Sequence, residues 1–367
     1  MSLVLYRKYR PQNFAEFVGQ EYIIQTLINA ISSGLISHAY LFSGPRGSGK
    51  TSLARLFAKA VNCQTRKDGE TEPCNKCSSC REITEGRSLD LIEIDAASHR
   101  GIDEVRELRD GIRFVPVKSK YKVFIFDEAH QLTKEAANAL LKTLEEPPEY
   151  AIFILATTEI HKMIPTIISR CQRFNFSRLT LAEILKKLDR VARKEKIKIE
   201  KSALELIALN SQGSLRDAES LLDQVFTLLG SEKEIKAEDL KDLLGLVEIG
   251  LISQFTDFLA QKKPAKAINF LNELAQKGMD LSEFAKTLLN YLRQALLLKI
   301  MGEDGKEIVS GLTREEFQKL KEQSEALKEE EIKRIINLFL EAQTKMKYSS
   351  IPQLPLELAI IESCGVV

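Results

Sequence analysis

No run among the 367 residues approaches the roughly 20 apolar positions of a membrane-spanning helix, and the opening MSLVLYRKYRPQ lacks the apolar core of a secretion signal. Both absences argue against a membrane or exported protein, and the expected location is the cytoplasm. Bulk charge of one sign is missing too: Lys plus Arg is 53 against 52 for Asp plus Glu, so any nucleic-acid surface must be local. A disulfide framework is not expected either, because six cysteines in a cytoplasmic chain point elsewhere and four of them cluster. Internal repeats and low-complexity tracts are absent. What remains is an ordinary globular composition, 44% hydrophobic and 29% charged, in a chain long enough for two or three domains.

The stretch that organises the chain is HAYLFSGPRGSGKTSLARLFAKAVN, His38 to Asn62. Ala39, Tyr40, Leu41 and Phe42 read as a buried strand, and Leu53, Leu56, Phe57 and Ala60 follow at helical spacing. Between them lies Gly44-Pro45-Arg46-Gly47-Ser48-Gly49-Lys50-Thr51. Gly44 and Gly49 allow the backbone N–H groups to converge on phosphate oxygens at the positive end of the following helix. Lys50 supplies a mobile positive charge for the β- and γ-phosphates, and the Thr51 hydroxyl is placed for Mg²⁺. An ordinary glycine-rich turn would not need the strand and helix that flank this octet. Up to Ala60 the chain holds seven basic residues against two acidic ones, a bias suited to polyphosphate or DNA and equally to a solvated face.

The cysteines follow as Cys63-x₁₀-Cys74-x₂-Cys77-x₂-Cys80. Close knuckles at Cys74, Cys77 and Cys80, closed by Cys63 from the end of the preceding helix, can supply four thiolates to a structural zinc ion. The alternative is a group of free thiols. Beyond this insert, strands are expected at Leu89 to Ser98, Tyr121 to His130, Ala151 to Thr158 and Gln172 to Phe176, alternating with helices that include Gly101 to Arg113 and Pro165 to Arg170. Such alternation predicts a parallel sheet covered on both faces, with ligands at the strands' carboxyl ends, where Gly44, Asp127 and Thr158 fall. Asp127 and Glu128 end the most apolar of these strands; Asp127 can reach the metal and Glu128 can orient or deprotonate an attacking water. Arg170, in Ser169-Arg170-Cys171, is either a surface residue or one that projects into a neighbouring subunit's γ-phosphate. Arg216 is open in the same way, solvated or touching phosphate from above. After Thr180 the strand signal disappears. Helices are expected over Leu181 to Glu195, Ser202 to Ser211 and Ser214 to Leu229, then a second helical block from Ile249 onward with a loop at MGEDGKEIVSG.

In combination, GPRGSGKT, the four-cysteine insert, IDAAS, FDEAH, LLKTLEEPP, LATT, ISRCQRF and GSLRDA resemble the γ/τ ATPase subunit of the bacterial DNA polymerase III clamp loader, over RKYRPQNF to the end. The resemblance implies an α/β AAA+ P-loop NTPase module with a zinc-binding insert at 63–80, spanning 1–179. A three-helix lid over 180–243 and an all-α collar over 244–367 complete it. It implies ATP, Mg²⁺ and Zn²⁺ as cofactors, and as partners the δ and δ′ subunits, further copies of this chain, the β sliding clamp and primed DNA. Lys50 and Thr51 become nucleotide and Mg²⁺ residues, Asp127 and Glu128 the hydrolysis pair, Thr158 the first sensor, Arg170 the finger acting on the adjacent subunit and Arg216 the second sensor. Tyr6, Arg7, Tyr9, Arg10, Pro11 and Val18 would line the adenine pocket, while Arg46, Gly47, Ser48, Ser52 and Leu215 complete the nucleotide contacts. Ser98, Arg100 and Lys134 would face template phosphates, or be merely solvated. The long C-terminal extension of τ forms is not expected in this sequence, so polymerase tethering is not assigned.

The implied activity is ATP-dependent loading of the sliding clamp. A non-catalytic ATP-binding scaffold is the first alternative, and Glu128 and Arg170 argue against it. The DEAH quartet also raises a helicase, which would need a second sheet domain after Thr180.

Overall fold

The computed structural model describes residues 4–67, 69–98, 112, 114–230, 234–243, 247–302 and 312–365. It divides into two compact units, 1–237 and 238–367.

In the first unit a four-residue helix α1 (Leu5–Lys8) and a 3₁₀ turn (Phe14–Glu16) precede α2 (Glu21–Ser33). Then come β1 (Ala39–Ser43), α3 (Lys50–Val61), α4 (Ser78–Glu85), β2 (Leu91–Asp95), β3 (Lys122–Asp127), α5 (Lys134–Glu145), β4 (Ala151–Thr157), α6 (Pro165–Ile168) and β5 (Gln172–Asn175). The strands form one parallel sheet in the order β2-β3-β4-β1-β5. Every residue of β1 and β4 is buried, as expected of central strands covered on both faces. Their period-2 alternation sorts the side chains into two cores. Tyr40, Phe42, Ile125, Ile152 and Ile154 pack on one face with Leu27 of α2 and Leu53 and Phe57 of α3. On the other face, Ala39, Leu41, Phe124, Phe126, Phe153 and Leu155 pack with Ala136, Leu140 and Leu144 of α5. Register places Ser43 beside Thr157 and Asp95 beside Asp127, so the carboxyl ends of four strands align.

Three helices complete this unit: α7 (Leu181–Glu195), α8 (Lys201–Asn210) and α9 (Leu215–Leu229). Thr180 and Glu183 form a reciprocal capping box on α7, and the Ser214 hydroxyl accepts from the Asp217 N–H at the start of α9. The helix expected at Gly101 to Arg113 lies almost wholly outside the described residues, as does most of the MGEDGKEIVSG loop.

The second unit is helical: α10 (Ala237–Leu243, of which Ala237 belongs to the first unit), α11 (Ile249–Ala260), α12 (Pro264–Gln276), α13 (Leu281–Met301), α14 (Arg314–Ala326), α15 (Glu329–Met346) and α16 (Leu354–Cys364). Its core gathers Phe255, Leu271, Phe284, Leu288, Leu292, Phe339 and Leu356. One polar hub is buried there: Gln323 donates to the Ser253 carbonyl at 2.8 Å and accepts from the Tyr291 hydroxyl at 2.7 Å. Such satisfied groups specify one arrangement of otherwise interchangeable apolar faces. Among the described residues every strand precedes Phe176, leaving no second sheet of the kind a helicase requires, and no helix is long and apolar enough to cross a membrane.

Candidate functional site: a phosphate loop beneath a helical lid

The loop between β1 and α3 closes tightly. Gly47 has φ +74°, and a Cβ there would stand 1.9 Å from the Ser214 hydroxyl; Gly49 has φ +99°, and a Cβ would stand 2.6 Å from the Phe17 ring. Side chains at either position would therefore be strained and would collide, with the lid in one case and the N-terminal segment in the other. Lys50 is only 6% exposed, and its Nζ donates to the Gly44 and Pro45 carbonyls at 2.8 Å each. Burial draws its pKa below the ordinary lysine value, partly opposed by Glu128 and Asp127.

Opposite the loop, the Thr51 hydroxyl donates to Asp127 Oδ2 at 2.9 Å, bringing together the two oxygens read as Mg²⁺ ligands. The chemistry of this pair fits a hard cation that prefers oxygen. Glu128 adopts the left-handed conformation at φ 47°, uncommon for a residue with a Cβ. Its carboxylate accepts from the Thr158 hydroxyl at 2.9 Å, so the expected sensor touches the expected base directly. His130 was not singled out in the sequence. Its ring lies 3.0 Å from the Thr157 hydroxyl, 3.1 Å from Glu159 and 3.4 Å from Glu128, making it the node that holds the two strand ends together.

A cleft of about 450 Å³ runs from this loop to the lid. It is lined by Tyr6, Arg7, Tyr9, Arg10, Pro11 and Val18 from the N-terminal segment, by Arg46 through Ser52, by Asp127 and Glu128, and by Leu215 and Arg216. Gly44 is not in this lining, although its carbonyl holds Lys50. Arg216 lies over the Tyr6 ring, 4.9 Å from its centroid. The lid is also tied to the N-terminal segment: Lys187 Nζ donates to the Tyr9 carbonyl at 3.0 Å, and Lys8 and the Tyr9 hydroxyl both meet Glu195.

Lys187 and Glu219, both lining the cleft, were absent from the sequence reading because their burial depends on how the lid packs. Glu219 is 4% exposed and 3.9 Å from Lys187. Burial lifts its pKa from 4.5 to about 7, with Lys187 pulling the other way. The folded state therefore holds this proton longer than the unfolded chain, and stability falls as pH rises from about 4.5 to about 7. Glu219→Gln is expected to remove that part of the pH dependence; urea unfolding at pH 5 and pH 8 measures it, and an undiminished difference in the variant would contradict the assignment.

Arg170 does not line the cleft. Its guanidinium donates to Glu145 at 2.6 Å and to the Thr166 carbonyl at 2.8 Å, at the junction of α5 and α6. Ser98 donates to Asp95 at 3.0 Å, and Lys134 is exposed at the first position of α5, behind the Thr133 cap. Arg100 lies outside the described residues.

The four clustered cysteines do converge: all their Sγ atoms lie within 4.8 Å of one another, and Cys74 and Cys80 are 3.9 Å apart. A tetrahedral site with Zn–S bonds near 2.3 Å needs sulfur separations of about 3.8 Å, so the cluster fits such an ion. Backbone N–H groups of Lys76 and Cys77 point at Cys74 Sγ, both at 3.3 Å, and that of Cys74 points at Cys63 Sγ at the same distance. Burial works to raise the Cys74 pKa, but hydrogen bonds from Thr65, Cys77, Lys76 and Cys63 outweigh it and bring the thiol down to about 5. Burial, with Cys77 beside it, pushes Cys80 the other way. Hydrogen bonds that favour the Cys74 thiolate suit a metal ligand, which must be deprotonated to bind.

Comparison with known proteins is consistent along the chain. Residues 19–180 match the family model described as DNA polymerase III, delta subunit. Residues 183–229 match the clamp loader subunit ATPase lid domain, and 235–367 match domain III of subunits gamma and tau. DNA polymerase III subunit gamma of Buchnera aphidicola is 36% identical over 365 residues, covering 99% of both chains. The chain belongs to the DNA polymerase III gamma/tau family. Subunit tau of Bacillus subtilis is 44% identical across 98% of this chain, and that of Escherichia coli is 41% identical across 81%. The chain spans 63% of the length of the first of these gamma/tau relatives and 46% of the second. Its first unit is a five-stranded parallel sheet with the cysteine insert between α3 and β2 and the lid-matching helices after β5.

Proposed function

We propose that this chain is an ATP-hydrolysing subunit of a clamp loader, which uses ATP to place a ring-shaped sliding clamp on primed DNA. The observation that carries the reading is the convergence of Lys50, Thr51, Asp127 and Glu128 at the carboxyl ends of parallel strands, beneath a lid that presents Arg216. Loop N–H groups and Lys50 hold the phosphates; Thr51 and Asp127 hold Mg²⁺, which when bound neutralises charge on the phosphate oxygens. Glu128, oriented by Thr158 and His130, positions water and accepts its proton. Tyr6, Tyr9, Arg10, Pro11 and Val18 receive the base, while Arg216 reaches phosphate from α9.

Arg170 completes the site of the adjacent subunit, so hydrolysis depends on assembly with δ, δ′ and further copies of the chain. The all-α collar, over 244–367, builds the ring, and residues 1–179 and 180–243 form the AAA+ module and its lid. Ser98, Arg100 and Lys134 face DNA phosphates, with recognition indifferent to sequence. A pure scaffold has no use for a water-positioning carboxylate held by two neighbours.

Steady-state ATP turnover tests the reading. It is expected to be low for the chain alone and to rise strongly only with δ, δ′, clamp and primed duplex together; a rate indifferent to those additions would contradict it.

The cysteine cluster holds structural zinc. Elemental analysis after metal-sparing purification is expected to find about one zinc per chain, and far less in Cys74→Ser. A ratio near zero in the unsubstituted protein would refute the assignment.

A further inference from the structure

The cysteine insert reaches the nucleotide cleft by two separate arms. On one, Glu72, two residues before Cys74, accepts from two successive backbone N–H groups of the N-terminal segment: Phe14 at 2.8 Å and Ala15 at 3.0 Å. On the other, the one hydroxyl proton of Thr84 on α4 goes to the Cys80 carbonyl at 2.8 Å, with Gln12 Oε1 3.3 Å from the same oxygen. Lys59, 3% exposed on α3, belongs to this second arm; its Nζ donates to Gln12 Oε1 at 2.6 Å and to Thr84 Oγ1 at 3.1 Å. Gln12 in turn donates through its side chain to the Arg10 carbonyl at 3.0 Å and through its backbone to Glu16 at 3.1 Å.

The segment so gripped supplies Arg10 and Pro11 on one side of the gripped residues and Phe17 and Val18 on the other, all of them lining the cleft. This is its apolar and aromatic wall, distant in sequence from the phosphate loop and suited to the faces of a base. An unanchored loop at this place would have to be ordered by the ligand itself, at a cost in affinity. Both arms start at a cysteine knuckle, so their positions follow from how the four sulfurs are held.

We propose that the four-cysteine insert positions the base-binding wall of the nucleotide cleft, with Glu72 and the Lys59–Thr84 pair as positioning residues. Metal occupancy then sets affinity for the base-bearing part of a nucleotide and leaves the grip on its phosphates unchanged. The inference rests on the reading of the cleft as a nucleotide site. Linkage makes the coupling reciprocal: nucleotide tightens metal retention by the same factor by which metal tightens nucleotide.

The test compares two ligands on the full chain: ATP, which has the base, and inorganic tripolyphosphate, which does not. Glu72→Ala is expected to keep its zinc and its tripolyphosphate affinity and to bind ATP about tenfold more weakly. Glu72→Gln, which retains one acceptor oxygen, is expected to fall between the two, and Thr84→Val on the other arm is expected to weaken ATP in the same selective way. In the unsubstituted protein, ATP is expected to slow zinc transfer to a chromophoric chelator, whereas tripolyphosphate is not. Equal weakening of both ligands, or an unchanged ATP affinity in Glu72→Ala and Thr84→Val, would overturn the proposal. If the unsubstituted chain bound neither ligand, the nucleotide reading itself would fall and this inference with it.

Discussion

Lys50→Ala is expected to weaken ATP binding by about a hundredfold, measured by titration calorimetry on the isolated chain. Its ammonium is buried at the cleft and, among the described residues, donates to the Gly44 and Pro45 carbonyls of its own loop, so a phosphate that replaces them gains a largely desolvated positive charge. Losing one charge-assisted contact of this kind is worth about 3 kcal/mol, which is about a hundredfold in affinity. The same burial that lowers the lysine's pKa makes its charge a burden on the unliganded fold. Lys50→Ala is therefore expected to unfold no earlier than the unsubstituted protein, and a loss of binding caused by misfolding would show as an early melt. Unchanged ATP affinity would remove the phosphate loop from the account.

Arg170→Ala is expected to behave in the opposite manner: ATP affinity nearly intact, and turnover in the complete assembly reduced by about a thousandfold. The arginine does not line its own chain's cleft, so binding there has no reason to change. Its ion pair with Glu145 is part-exposed, and such pairs contribute about 0–1 kcal/mol, so the fold tolerates the loss. Turnover of the isolated chain is expected to be unaffected. Full stimulated turnover in the variant would refute a site shared between subunits.

Much of the first unit was legible because its signals are local. The apolar runs at Ala39, Lys122 and Ala151 have no polar face to present to water, and buried parallel strands are where such runs belong. Two of the lid helices carry start signals of their own, Thr180 with Glu183 on α7 and Ser214 with Asp217 on α9, whereas α8 has no side-chain cap. Glycine at 47 and 49 is demanded by positive φ within the loop itself, so that part of the pattern declares itself.

Other parts of the site depend on residues far apart in sequence. Nothing around Glu72 announces that its carboxylate will meet the N–H groups of Phe14 and Ala15, nearly sixty positions earlier. Glu219 reads as one more charged residue on an amphipathic helix until α9 packs it against Lys187. Strand order is equally invisible locally, because placing β4 between β3 and β1 is a choice of crossover rather than of propensity. His130 was hidden for another reason: the DEAH quartet draws attention to its carboxylates, while the imidazole's partners come from the following strand end.

The central claim, that ATP use by this chain places a ring around DNA, is tested most directly by following labelled clamp on a circular, singly primed DNA. The chain is assembled with δ and δ′, and bound clamp is separated from free clamp by gel filtration. The account predicts that clamp is retained on the circle only when ATP is present and Lys50 is intact, and that it slides off once the DNA is linearised. Clamp retained equally without ATP, or never retained by the complete assembly, would contradict it.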